Sequence, residues 1–303
     1  EIASCLVGSE MCIRDRCLPL IFLTIFTYNL SYKKYMDLAT QSTVELAKNY
    51  GMGFQSQLNS QIAEVEGLAN GTNIQNLVLE NYNGVTLGND SPYYTNVTDL
   101  FATASDYAGN NVNYYLYDVN GYYITSSDNT NTDDWQEHMA IPVEDITETK
   151  ILQCSPLDEI ESIDVVSPII IKSQIVGLIR ANITSRYFGS FIPEDGSAFI
   201  MTNDGGYLFT STGLTGQREL ETQAFNCLNG ADNAKDYGHL KASSFKNIYG
   251  FCKLSDSNWL YLIKQQGTQY QQILATLPIT MSITLIIISV SYTHLTLPTT
   301  ERV

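Results

Sequence analysis

Residues Tyr114 to Ser127 read YYLYDVNGYYITSS, and residues Phe199 to Thr212 read FIMTNDGGYLFTST. Aligned without gaps, the two stretches begin 85 residues apart and match Gly121 with Gly206, Tyr122 with Tyr207, Thr125 with Thr210 and Ser126 with Ser211. Each is an aromatic or aliphatic run, a turn of Asp, Asn and Gly, and a second run. That is a hairpin signal, because Gly and Asn tolerate the positive φ that tight turns need. A further strand pair is expected after each hairpin, over Asp164–Ile183 (DVVSPIIIKSQIVGLIRANI) and over Ser243–Gln265 (SSFKNIYGFCKLSDSNWLYLIKQ). A repeat of this size predicts an α+β chain with two tandem modules, each built on an antiparallel sheet.

Upstream of the repeat the period changes. From Ser31 to about Asn70 there is no proline, and Phe54, Leu58, Ile62, Val65 and Leu68 fall at steps of three and four, which is a helical stripe. A helix of about 40 residues is about 60 Å long. Gly51 and Gly53 lie inside it and weaken it by about 1 kcal/mol each relative to alanine, so either a bend or a join between two helices is expected there.

Apolar segments flank this middle region. Cys17–Tyr28 (CLPLIFLTIFTY) carries no charge, and neither does Ile273–Ser289 (ILATLPITMSITLIIIS). Residues 17–30 and 273–289 are therefore expected to be membrane-spanning, the first truncated and the second at the lower length limit of about 17 residues. The outermost residues read differently. Met11–Arg16 (MCIRDR) and Val290–Leu295 (VSYTHL) are encoded by one DNA word, ATG TGT ATA AGA GAC AG, and by its reverse complement in another frame. This resembles the mosaic end of a transposon-based sequencing adapter. Residues 1–16 and 290–303 are accordingly expected to be translated adapter, and Cys5, Cys12 and His294 leave the functional reading with them.

The chain holds 32 Asp+Glu against 16 Lys+Arg, a net charge of −16 with a pI near 4.4. That balance excludes a phosphate-binding surface and hence nucleic acid as a partner, since counterion displacement needs clustered Lys and Arg. Hydrophobic residues at 44%, with 20 Tyr and 11 Phe, suffice for a sizeable core and exclude a wholly disordered chain. An acidic middle rich in Asn, Thr, Ser and Tyr, held between two spans, suits the outside of a bacterial cell.

Taken together, the long helix, the two Asp- and Gly-bearing hairpins, the segment VVSPIIIKSQIVGLIRANI and the flanking apolar stretches resemble the double Cache family of extracytoplasmic sensors. The resemblance covers roughly residues 31–272. It implies a long signalling helix (31–70), a membrane-distal PAS-like module (71–190), a membrane-proximal PAS-like module (191–272), and an output domain beyond the second span: a diguanylate cyclase, a chemotaxis module or a histidine kinase. It also implies a small-molecule ligand, a lipid bilayer around the spans and a homodimer formed through the long helix. The alternative is an extracellular adhesion or surface-structure protein, for which Tyr/Asn/Thr-rich strands would serve contact.

Motifs for catalysis are missing from the sequence. His138 and His239 stand 101 residues apart, with no H-E-x-x-H, C-x-x-C, G-x-S-x-G, Walker loop or G-x-G-x-x-G. No enzyme activity, cofactor or metal is expected of these residues. The acidic run Ser127–Trp135 (SDNTNTDDW) lacks the glycine and closing glutamate of a calcium loop. Cys227 and Cys252 are candidates for pairing in an oxidising compartment, with two free thiols as the other reading.

The ligand pocket is expected around Tyr115, Tyr117, Asp134, Trp135 and Asp164. Amino-acid-sensing members of the family carry R-x-W-Y-x-x-A after the first hairpin, where the arginine holds the ligand carboxylate. Anchored on Ala140, this chain has Asp134, Gln136 and Glu137 at the Arg, Trp and Tyr positions. Without arginine there, a bidentate hold on a carboxylate is lost from that position. The resemblance and the substitution together suggest a cationic or polyhydroxylated ligand, or no ligand.

Overall fold

From Ile2 to Ala69 the chain is one helix, α1. Gly51 and Gly53 neither break it nor mark a join, and Gly53 has a packing reason: a Cβ there would lie 2.2 Å from Cε1 of Phe191. The expected stripe is present in part. Phe54, Leu58, Val65 and Ala69 are buried, whereas Ile62 and Leu68 lie on its flank and Gln61 occupies the centre. The helix ends where the Asn70 amide side chain and backbone N–H both reach the Glu66 carbonyl, at 2.8 and 3.1 Å, satisfying a terminal acceptor. The computed structural model describes residues 2–84, 91–128, 135, 141–153, 162–193, 197–209, 218–230, 236–240, 247–266, 276, 278–284 and 286–287.

Two short helices follow, α2 (Thr72–Tyr82) and α3 (Pro92–Tyr107). α3 begins on Ser91, whose Oγ accepts from the Tyr94 N–H, with Pro92 in the first turn. The first sheet comprises β1 (Val112–Asp118), β2 (Tyr123–Ser126), β3 (Lys150–Gln153), β4 (Ser162–Ile171) and β5 (Gln174–Thr184), in the order β2-β1-β5-β4-β3. The second comprises β6 (Ala198–Met201), β7 (Tyr207–Leu208), β8 (Tyr237–His239), β9 (Asn247–Leu254) and β10 (Trp259–Gln266), with α4 (Arg218–Leu228) between β7 and β8, in the order β7-β6-β10-β9-β8. Numbered within each sheet, both read 2-1-5-4-3. The repeat legible in the sequence is thus a repeat of topology.

Its offset, however, is 84 rather than 85. Tyr117 pairs with Tyr123 and Met201 with Tyr207, and the glycines at positive φ in the two turns are Gly121 and Gly205, not Gly206. Asp118 Oδ1 accepts from the N–H groups of Asn120 and Tyr122. In the second turn Asp204 takes that work, accepting from the Thr202 hydroxyl and from Gly206 N–H. A slip of one residue reverses which side chains face the core. β4 and β5 join through Lys172 and Ser173, both at positive φ, as a two-residue turn of mirror-image type requires.

The chain divides into two compact units: residues 1–45, 239–250 and 264–303, and residues 46–238 and 251–263. Within the first, the Thr43 hydroxyl lies 2.6 Å from Gln265 Oε1. Within the second, one contiguous core joins Phe54, Leu58 and Val65 of α1, Ile74 and Leu77 of α2, Phe101 of α3, Ile163 and Ile179 of the first sheet, and Ile200 and Tyr261 of the second. Cys227 and Cys252 are not joined in a disulfide. Among the described residues no helix is long and apolar enough to cross a membrane. The uncharged run between Arg16 and Lys33 falls short of the roughly 20 residues a span needs, and seven residues of 273–289 lie outside the described residues.

Candidate functional site

Strand alternation gives the first sheet two faces. Tyr114, Leu116, Ile163, Val165, Ile179, Ala181 and Ile183 look into the core shared with the helices. Tyr115, Tyr117, Asp164, Val166, Leu178, Arg180 and Asn182 occupy the other face. There Tyr115, Tyr117, Val166 and Leu178 form a second apolar cluster with Trp135, Val143 and Ile146. The structure therefore places Tyr115, Tyr117, Trp135 and Asp164 on one face. Asp134 lies outside the described residues.

Trp135 is wholly buried. Its backbone N–H donates to Gly121 O at 2.7 Å and its indole N–H to Ile141 O at 2.6 Å, so both polar ends of the residue are satisfied. Its ring meets Tyr117 edge to face at a centroid distance of 5.8 Å. Tyr117 in turn meets Tyr123 at 6.4 Å.

Beneath these rings lies a buried ion pair. Arg180 Nε stands 2.9 Å from Asp164 Oδ2, with side-chain exposures of 4% and 0%. Register explains the meeting: Arg180 is paired with Tyr115 on one side and Val166 on the other, while Asp164 is paired with Asn182, so the two charges are diagonal neighbours on adjacent strands. Asn182 Nδ2 donates to Asp164 Oδ1 at 2.9 Å, and the Arg180 guanidinium carbon lies 5.0 Å from the Tyr115 ring centroid. Burial works most strongly against the Arg180 charge, but the Asp164 carboxylate and the Tyr117 hydroxyl together outweigh it and hold the guanidinium above its ordinary pKa. Burial also pushes the Tyr117 hydroxyl up, against the opposing pull of Arg180.

Two donors in this cluster are left over. Arg180 Nη1 and the Tyr117 hydroxyl are buried without a hydrogen-bond partner, and the approach of Nε to Asp164 is a charge contact rather than an aligned hydrogen bond. A buried polar group without a partner costs about 1–3 kcal/mol, so the arrangement is poised to take an acceptor. Elsewhere a groove of about 890 Å³ lies between the end of α2 (Asn81, Tyr82) and the β1–β2 and β4–β5 turns. No buried side chain of its lining is left without a partner among the described residues, so it lacks that demand. No cluster of metal ligands occurs among the described residues.

The sequence reading passed over Arg180. A guanidinium stands on this face on β5, and Asp164 meets Arg180 and Asn182. The signal was present: one arginine within the apolar strand QIVGLIRANI, with one aspartate in the strand paired to it.

No family model matches the chain, and no curated protein matches it. Solved structures do. The fold is similar to the extracellular domain of the histidine kinase vpHK1S-Z8, with TM-score 0.56 and 11% identity over 78% of this chain and 96% of that one. It is similar to the extracellular domain of the histidine kinase soHK1S-Z6, with TM-score 0.55 and 10% identity over 79% and 98%. It is also similar to a domain of a sensory box/GGDEF family protein from Vibrio parahaemolyticus, with TM-score 0.52 and 10% identity over 78% and 98%. At these identities the likeness is one of fold, and the fold is the one expected from the double Cache resemblance.

Proposed function

We propose that the chain is the ligand-sensing region of a bacterial membrane receptor, with residues 31–272 outside the cell. The observation that carries the reading is the outer face of the first sheet. A fully buried ion pair and two unpartnered donors lie there under aromatic side chains, an arrangement costly to a merely structural sheet and useful to a binding site. The fold supports it, since similar folds serve as extracellular domains of histidine kinases. In this reading residues 71–190 are the distal, ligand-binding module and 191–272 the proximal one, with 17–30 and 273–289 as anchors. α1 leaves Leu38 and Met52 exposed, which favours pairing with a second copy through the long helix. The contexts of the similar folds favour a histidine kinase or a diguanylate cyclase as output.

Ligand would act by differential affinity for two arrangements of α1 and the strands packed on it; no other route shifts such an equilibrium. The test is a thermal-shift screen of the full chain in detergent micelles against a broad set of small metabolites. A solute that binds the folded state raises the melting temperature by mass action. A library-wide absence of any concentration-dependent rise would count against sensing.

A further inference from the structure

We infer that the occupant of this site is an electrically neutral solute that presents a carbonyl or hydroxyl oxygen to Arg180 Nη1 and the Tyr117 hydroxyl. This rests on the ligand-sensing reading above and names the ligand class for the same site. What the site leaves over is two buried groups able to donate, which face one another without an aligned hydrogen bond, Arg180 at 3% exposure and Tyr117 at 0%. Asp164, the one buried carboxylate described on that face, already faces Arg180 at Oδ2 and accepts from Asn182 at Oδ1.

Charge then selects the class. Arg180 and Asp164 cancel, so the buried part of the described site is neutral, with the less buried Lys150 and Asp128 at its margin. A carboxylate ligand would satisfy the donors but leave one uncompensated negative charge in a desolvated place. A cation would find its counter-charge taken. A zwitterion would satisfy one end and strand the other. A neutral acceptor fills both donors and leaves the balance unchanged. Tyr117 and Trp135 supply an apolar wall for the rest of such a molecule. The acidic neighbours of Trp135 in the sequence, Asp133, Asp134 and Glu137, lie outside the described residues, and amine binding is the outcome they would favour.

The experiment uses the full chain in detergent micelles with Trp259→Phe, so that Trp135 alone emits. Seven probes are titrated at pH 7: uracil, hypoxanthine, D-ribose and myo-inositol as neutral acceptors, succinate as anion, putrescine as cation and L-alanine as zwitterion. The expected result is a saturable change in Trp135 emission, with a matching rise in melting temperature, for at least one neutral probe and for none of the charged ones. Tyr117→Phe removes one donor and should weaken that probe about tenfold. The double variant Arg180→Met/Asp164→Leu removes both charges together, keeps the fold by circular dichroism and should abolish the response. A response confined to succinate, putrescine or L-alanine overturns this inference and leaves the sensing reading standing. An undiminished affinity in Tyr117→Phe also overturns it. Silence from all seven overturns the inference and, with a silent metabolite screen, the sensing reading too.

Discussion

At Arg180 a full charge sits at 3% exposure on a strand whose other buried side chains are Val176, Leu178, Ile179, Ala181 and Ile183. Asp164 is what makes this tolerable, so the two residues are not equivalent to their separate parts. Arg180→Met alone should destabilise the chain by about 3–5 kcal/mol, because it abandons a buried carboxylate. Arg180→Met/Asp164→Leu should recover most of that loss, since a buried pair replaced by apolar side chains of similar volume is often neutral. Urea unfolding of the two variants checks this, and equal losses in both would mean that the pair itself holds the sheet. Asp204 presents an exposed contrast. The Thr202 hydroxyl and then the Gly206 N–H hold its carboxyl below the ordinary value of 3.8. A depressed folded-state value means the contribution is present above the unfolded pKa and fades as pH falls through the folded one. Melting temperatures of the wild type and Asp204→Asn should therefore differ most near neutral pH and converge below about pH 4; a constant gap would assign the difference to the side-chain amide instead.

Among the elements, α1 shows how packing overrides propensity. Gly53→Ala should gain about 1 kcal/mol of helix propensity, yet the added Cβ would stand 2.2 Å from Cε1 and 2.7 Å from Cζ of Phe191. That ring is not free to leave: it packs against the core and meets Tyr50 edge to face at 6.3 Å, while its carbonyl accepts from the Tyr261 hydroxyl. Gly53→Ala is expected to lower the melting temperature, and to raise it when introduced into a Phe191→Ala background. A rise in both backgrounds would show that the ring yields freely. The same helix measures what a sequence discloses. Its end near Asn70 and its stripe at Phe54, Leu58 and Val65 were legible because burial of one helical face leaves a period, whereas its start was not, the helix running from Ile2 and not from Ser31. Gln61 was not, because its place at the centre of that stripe is earned by a partner 53 residues away, the Tyr114 hydroxyl at 2.7 Å. The hairpins were legible through their turn residues, but the second turn carries two adjacent glycines, and matching letters pairs Gly121 with Gly206 (85) where backbone conformation and strand pairing align it with Gly205 (84). β3 and β8 escaped notice, being short edge strands without a pattern of their own. Arg180 escaped because its meaning depends on strand register, which no single strand contains.

For the molecule as a whole, the question is whether the two sheets, alike in topology, unfold as one body. Within residues 46–238 and 251–263 they share one core, and the physical link is aromatic. Phe54 of α1 lies 4.5 Å from Phe188, just after β5, and 6.5 Å from Phe209, just after β7, while Phe188 and Phe209 are 5.5 Å apart. Cys252 on β9 reports on this core. It is buried at 5% exposure, and burial, helped by Asp236, pushes its thiol up. Since the thiolate is the reactive form, alkylation must await an opening of the structure. If the core opens as one, a lesion in the first sheet must speed labelling in the second. Arg180→Met, costing about 3 kcal/mol or more, should then raise the rate of Cys252 alkylation at least about a hundredfold, because each 1.4 kcal/mol is a factor of ten in the open population. Peptide-resolved mass spectrometry separates Cys252 from the other cysteines. A rate unchanged by Arg180→Met, in a protein whose first sheet is demonstrably weakened, would show that the sheets open independently and that a ligand on one could not be felt by the other through their common core.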